Sequence, residues 1–192
     1  MREDNELLLQ AAGQGDLATL QRLLAAGCDV NGAHPVHGNT ALYNACFVDR
    51  ADVVKLLVAG GADPNHRMTY HSPVDGRVEE GLVALMLARS PAVVSALLEA
   101  GANPNVHDAI GRTPLMRVVL SASVDAVDLL LAAGADPTVR NQAGLTAADI
   151  IRDRLGWLHE SWVNLKQPQA TERKAVLQRM LATVETAETG RR

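Results

Sequence analysis

Gly101-Ala102-Asn103-Pro104-Asn105 is one of four near-copies of the same five residues, and the spacing of the copies decides the fold. The others are Gly27-Cys28-Asp29-Val30-Asn31, Gly61-Ala62-Asp63-Pro64-Asn65 and Gly134-Ala135-Asp136-Pro137-Thr138, separated in chain order by 34, 40 and 33 residues. Each follows an apolar run: Leu20-Gln21-Arg22-Leu23-Leu24, Val53-Val54-Lys55-Leu56-Leu57, Val93-Val94-Ser95-Ala96-Leu97-Leu98 and Val127-Asp128-Leu129-Leu130-Leu131. This pattern predicts a helix that closes on a glycine in the left-handed region, after which Asp-Pro or Asn-Pro turns the chain away. Recurrence near 33 residues specifies a stacked array of helical repeats and not a domain with one compact core.

A second motif precedes each helix pair: Gly38-Asn39-Thr40-Ala41-Leu42-Tyr43-Asn44-Ala45, Gly81-Leu82-Val83-Ala84-Leu85-Met86-Leu87-Ala88, Gly111-Arg112-Thr113-Pro114-Leu115-Met116-Arg117-Val118 and a degraded Gly144-Leu145-Thr146-Ala147-Ala148-Asp149. With the glycine turns, these motifs resemble the ankyrin repeat family, whose pattern here is Gly-x-Thr-Pro-Leu-His-x-Ala. The resemblance covers roughly residues 5–152. It implies an all-α ankyrin repeat solenoid of helix-turn-helix units with finger-like turns, closed by a C-terminal helical cap. Tyr43, Met86, Met116 and Asp149 occupy the family's histidine place, so that histidine's hydrogen bonds are expected to be missing.

The chain is read as a single domain over 1–192, with repeats at about 4–33, 35–68, 78–107 and 108–140 and a degenerate repeat with helical cap over 141–187. Asp16, Thr40 and Ser90 are expected to cap helices, and Asp49 or Asp52 to start the second helix of the second repeat. Leu56 is expected among the buried aliphatics there. In the cap, Gly156 to Trp162 and Pro168 are expected to interrupt the helix, Trp157 and Trp162 to pack inward, and Thr171 to cap a last helix carrying Val176, Leu177, Met180, Leu181 and Val184 on one stripe.

The third repeat departs from the pattern twice. Gly61 to Gly81 spans 20 residues where Gly101 to Gly111 spans 10, so residues 66–80 form a finger about ten residues longer than its neighbours. Gly81 to Gly101 spans 20 where Gly111 to Gly134 spans 23, so three residues are missing around Arg89-Ser90-Pro91. Insertions in repeat arrays map to loops on one face, often the binding face. The long finger is expected to be flexible and to order on binding.

A net charge of −4 and a pI near 5.8 argue against a nucleic-acid binder, which needs a basic face for counterion release. No apolar run reaches the roughly 18 residues of a membrane span. The charged start Met1-Arg2-Glu3-Asp4-Asn5-Glu6 lacks a signal-peptide layout, and Cys28 and Cys46 read as reduced thiols of a cytoplasmic protein. Three lysines against 15 arginines suggest a GC-rich, bacterial genome.

Catalysis and metal binding find little support. Cys28, His34 and His37 share one finger and His66 and His71 the next, but the spacing matches no four-ligand zinc site. Cys46, His37 and Asp49 can be named as a nucleophile, base and orienter, yet Cys46 stands at a packed alanine place and reads as a small hydrophobe. Glu79 and Glu80 read as a solvated turn. No catalytic, cofactor or metal residues are therefore expected.

The resemblance implies a monomer that binds a protein partner through finger tips and the concave helix face. Carried over by position, that surface includes His37, Asn39, Phe47, Arg67, Arg112 and Arg117, joined by Tyr70, His71, Asp75 and Arg77 of the long finger. A bacterial immunity or inhibitor protein is one expectation. The alternatives are a hydrolase or metal-dependent activity on the finger histidines, and a secreted effector acting in a host cell.

Overall fold

The computed structural model describes the backbone of residues 2–190 apart from 73, 122 and 163–167, and the side chains of these residues apart from 2 and 157–171. The helices come in pairs along the chain: α1 (Arg2–Gln14) with α2 (Leu17–Ala25), and α3 (Ala41–Phe47) with α4 (Ala51–Ala59). A 3-10 turn (Ala84–Met86) pairs with α5 (Pro91–Glu99), and α6 (Pro114–Val118), prolonged by a 3-10 turn (Val119–Ser121), pairs with α7 (Val124–Ala132). The last pair is α8 (Ala147–Trp162) and α9 (Pro168–Thr189). First members stack in one layer, α1 on α3, α3 on the Ala84–Met86 turn, that turn on α6 and α6 on α8. Second members stack in the other, from α2 through α4, α5 and α7 to α9. One continuous apolar core runs between the layers from Leu8 to Val184.

Short helices need their orphan amides satisfied. Asp16, Thr40, Ser90, Thr113 and Ser123 each accept a hydrogen bond from the amide three residues on. Thr146 and Asp149 cap each other: the Asp149 amide donates to the Thr146 hydroxyl at 3.2 Å and the Thr146 amide to the Asp149 carboxylate at 3.0 Å. The expected cap of α4 is not formed as read. Arg50 precedes that helix with no side-chain cap, while Asp49 sits at φ 59° in the left-handed region, where short polar side chains are tolerated best after glycine.

The repeats are also joined by asparagines. The Asn31 carboxamide donates to the Gly61 carbonyl at 3.2 Å and accepts from the Asp63 amide at 2.9 Å. Asn65 bridges Gly101 and Asn103 in the same way, at 2.9 and 2.8 Å, and Asn105 bridges Gly134 and Asp136, at 3.0 and 2.7 Å. Each turn motif thus holds the next one in register.

The missing residues of the third repeat shorten its first helix to the Ala84–Met86 turn, and Val83, in the family's threonine place, supplies no side-chain cap. The long finger is a paired hairpin and not the flexible loop expected. β1 (Met68–His71) runs antiparallel to β2 (Val78–Leu82) with Thr69 opposite Glu80, Tyr70 opposite Glu79 and His71 opposite Val78. Its neighbours hold both edges: the His71 amide donates to the His37 carbonyl at 3.1 Å and the Ala109 amide to the Glu80 carbonyl at 3.0 Å.

At the C-terminal end α8 continues through Gly156 to Trp162 and α9 already starts at Pro168. Leu177, Met180 and Val184 are buried on one stripe of α9, with Val176 and Leu181 packed beside them. The side chains of Trp157, Trp162 and Thr171 lie outside the described residues. In α4 the fully buried leucine is Leu57, while Leu56 is only partly covered. Leu56→Ala is therefore expected to cost about 1–2 kcal/mol, below the 2–5 typical of a buried leucine, as read from urea unfolding midpoints.

Candidate functional site

Period-two alternation in the hairpin sends Tyr70 and Glu79, which are cross-strand partners, to the concave side, while Thr69, His71, Val78 and Glu80 face outward. There they meet the first-layer helices. Tyr70 stacks on Tyr43 with ring centroids 5.0 Å apart, and Tyr43 stacks on Phe47 at 6.3 Å. Tyr43, in the place of the family's histidine, is buried, whereas Phe47 is 54% exposed. The Arg89 guanidinium lies over the Phe47 ring, 5.7 Å from its centroid. Burial pushes the Tyr43 phenol far above its ordinary range, with the neighbouring Tyr70 and Glu79 acting in the same direction. The phenol is a neutral packing group.

Glu79 is the electrostatic centre of the site. Its carboxylate receives Arg112 at 2.8 Å and Arg117 at 3.2 Å. Arg117 also donates to the Met86 carbonyl at 3.3 Å, and Arg112 to Asp108 at 2.6 Å. Burial raises the Glu79 carboxyl, but hydrogen bonds and charge from the two arginines outweigh it and hold it below its ordinary value. Asp108, buried, also accepts from the amides of Ile110 and Arg112 and so shapes the next finger.

These groups surround a cavity of about 750 Å³ whose wall passes from Tyr43 and Phe47 to the hairpin, then to Leu87, Arg89 and Ser90, and on to Leu120 and Ser121. Both irregularities of the third repeat open onto it. The lengthened finger forms one wall, and the shortened first helix leaves the floor low between α3 and α6. Asp49 closes the side of the cavity by accepting from the Ser90 hydroxyl at 2.8 Å.

Of the residues singled out from sequence, Phe47, Tyr70 and Arg117 line this cavity, and Arg112 braces it through Glu79. The others are placed elsewhere. His37 stacks on His34 at 4.7 Å beside the hairpin edge. The Asn39 side-chain carboxamide donates to the Asn44 side-chain oxygen at 2.7 Å, and Arg67 reaches the His107 carbonyl at 2.8 Å. His71 is exposed on the outer hairpin face. Asp75 and Arg77 pair at the tip at 3.1 Å. Glu79 corrects the solvated-turn reading, and with Tyr43 and Arg89 it was missed. The aromatic standing in the histidine place was the available signal for Tyr43, but nothing local announces that Glu79 meets arginines 33 and 38 residues away.

No three histidine, cysteine, aspartate or glutamate side chains converge as metal ligands among the described residues. Burial pushes the Cys46 thiol far up, and Asp49 adds to the rise, the opposite of what activates a nucleophile. Among the described residues no helix is long and apolar enough to cross a membrane.

A family description of ankyrin repeats in three copies matches residues 2–68 and again 68–141. The chain belongs to the ankyrin repeat family. It is similar to the mouse 2-5A-dependent ribonuclease, 42% identical over 65 residues, which are 34% of this chain and 9% of that protein. The bovine mitochondrial disaggregase is 32% identical over 137 residues, covering 56% of this chain and 20% of the relative. Mouse ankyrin repeat and SOCS box protein 6 is 36% identical over 114 residues, covering 58% of this chain and 26% of the relative. The chain thus spans between 9% and 26% of these relatives. Ankyrin repeats form protein-interaction modules, and the cavity lies between fingers and first-layer helices.

Proposed function

We propose that this ankyrin array is a non-catalytic, monomeric binding module of a reducing cytoplasm, and that its protein partner docks in the cavity between the long finger and α3, α6 and the Ala84–Met86 turn. The observation that carries the reading is that the two breaks in the repeat pattern converge on one cavity that bears an exposed phenylalanine. Aromatic and arginine side chains dominate the energetics of protein interfaces. Phe47 and Leu120 offer apolar contact, and Arg89, which has no carboxylate partner among the described residues, offers charge. The fitting segment carries an apolar side chain next to an aspartate or glutamate. Tyr70, stacked, and Glu79, held by two arginines, are fixed before binding, so association orders few groups. Such preorganisation suits an inhibitor or immunity protein that must hold its target, and this is the role we assign.

The test is affinity capture of a partner followed by titration of variants. Phe47→Ala and Arg89→Ala are each expected to weaken the captured partner at least about tenfold, with unchanged circular dichroism. Replacing residues 72–77 by Asn-Gly removes the tip but keeps the Tyr70 and Glu79 wall, because a two-residue turn can join His71 to Val78. A partner that binds wild type and Phe47→Ala equally would move the interface out of the cavity.

A further inference from the structure

Among the described residues Asp49 is the one non-glycine residue in the left-handed region. The first repeat makes the same turn between its helices with glycine. Gly15 stands 12 residues before Gly27 at φ 74°, as Asp49 stands 12 before Gly61 at φ 59°. After each, the next amide reaches back to a helix carbonyl at 2.9 Å, Asp16 to Ala11 and Arg50 to Ala45. The turn itself therefore needs no side chain, and a Cβ in this region carries strain that tends to be kept where function uses it. What the Asp49 side chain adds is a hold on Ser90. Its Oδ1 accepts from the Ser90 hydroxyl at 2.8 Å and from the Ser90 amide at 3.2 Å, 41 residues further along the chain. Ser90 sits where the third repeat lacks three residues between its two helices.

We propose that Asp49 is a positioning residue of the Phe47 cavity, a role that rests on that cavity being the docking site. It takes the left-handed backbone so that its carboxylate fixes Ser90 and thereby places the Arg89 guanidinium over Phe47. Arg89 is exposed, and a cation 5.7 Å from the centre of an exposed ring is held weakly by that contact alone. So long a side chain has much rotamer freedom to lose, and it keeps one place only from a fixed backbone. Here Pro91 restricts Ser90 to extended backbone, observed at ψ 152°, and Asp49 anchors it from the second repeat. The Ser121 hydroxyl approaches the Arg89 carbonyl at 3.5 Å from the fourth repeat. Arg89 and Phe47 thus keep one spacing before a partner arrives. Asp49 thereby helps decide how far apart a partner must carry its acidic and apolar groups.

Magnetic resonance spectra of the free labelled protein test this with two variants. Asp49→Gly keeps the turn, as Gly15 does, but removes the acceptor. Asp49→Asn tolerates the same backbone and keeps one oxygen, which is enough because both Ser90 bonds go to the single Oδ1. Phe47→Leu supplies the Arg89 proton shifts in the absence of the ring. In wild type the Arg89 Nε–H should be ordered in nitrogen relaxation, and the Arg89 side-chain protons should lie upfield of their Phe47→Leu values. Asp49→Gly should abolish both signatures and move the Ser90 amide proton upfield, while Asp49→Asn retains them. The Val93 amide, which donates to the Ser90 hydroxyl at 3.4 Å, should stay in place throughout. If Arg89 keeps its order and shift in Asp49→Gly, or loses them equally in Asp49→Asn, the acceptor does not position it and the proposal fails. It fails too if Val93 moves together with Arg89, because Asp49 then merely supports the start of α5. None of these readings involves a partner, so they stand apart from the docking site itself, which Phe47→Ala tests.

Discussion

Gly38→Ala is expected to destabilise the protein by about 2–5 kcal/mol, far more than Gly27→Ala, although both glycines have nearly the same backbone. Gly38 has φ 73° and Gly27 φ 77°, so each substitution carries the left-handed penalty of about 1–2 kcal/mol. The difference lies in what the new methyl group meets. Around Gly27 a Cβ finds nothing within 4 Å, whereas at Gly38 it is driven into the Thr69 carbonyl oxygen of β1. That oxygen is backbone, held in the hairpin by pairing with β2, and cannot rotate away as a side chain would. Relief requires the hairpin to move as a body, which breaks the His71 to His37 hydrogen bond and shifts Tyr70 off Tyr43. Urea unfolding of the two variants side by side measures the effect. Equal losses would show that finger and hairpin are not in rigid contact.

Glu79→Ala is the second large effect, about 2–3 kcal/mol. Removing one partner of a buried ion pair commonly costs about 3–5 kcal/mol, because the charge left behind stays desolvated. Here Glu79 is 32% exposed, Arg112 26% and Arg117 17%, so solvent screening reduces the figure. Arg112 keeps Asp108, but among the described residues Arg117 keeps only the Met86 carbonyl. The sign of the pH dependence follows from the lowered Glu79 carboxyl. Its contribution is complete above the ordinary value of 4.5 and is lost as pH falls through the lower folded-state value. The stability gap between wild type and Glu79→Gln should therefore be flat near neutrality and close below pH 4.5. A gap that persists at low pH would mean that the side chain acts by shape and not by charge.

Much of the scaffold is legible in the residue order because its determinants are local. Thr40, Ser90, Thr113 and Asp16 cap helices through amides three residues away, and the apolar runs before each glycine bury a stripe that helical periodicity already defines. Phe47 and Arg117 could be placed on the concave face because a repeat assigns faces by position. What was not legible depends on partners distant in sequence. The asparagines at the turns read only as turn residues, while their carboxamides reach 29–36 residues ahead to the next repeat. Glu79 looked like one of two solvated carboxylates, and only the strand alternation separates it from Glu80.

By itself the sequence determined that the chain stacks as an ankyrin array, where the four glycine turns between repeats fall, and that the third repeat carries both an insertion and a deletion. These follow from spacing and from capping chemistry that acts within a few residues. Only the tertiary structure decided that the insertion pairs into a hairpin, that hairpin and shortened helix face the same cavity, and that Arg112 and Arg117 close on Glu79. Register between strands and charge pairing between repeats are set by packing over tens of residues. No local window of the sequence contains both members of such a pair.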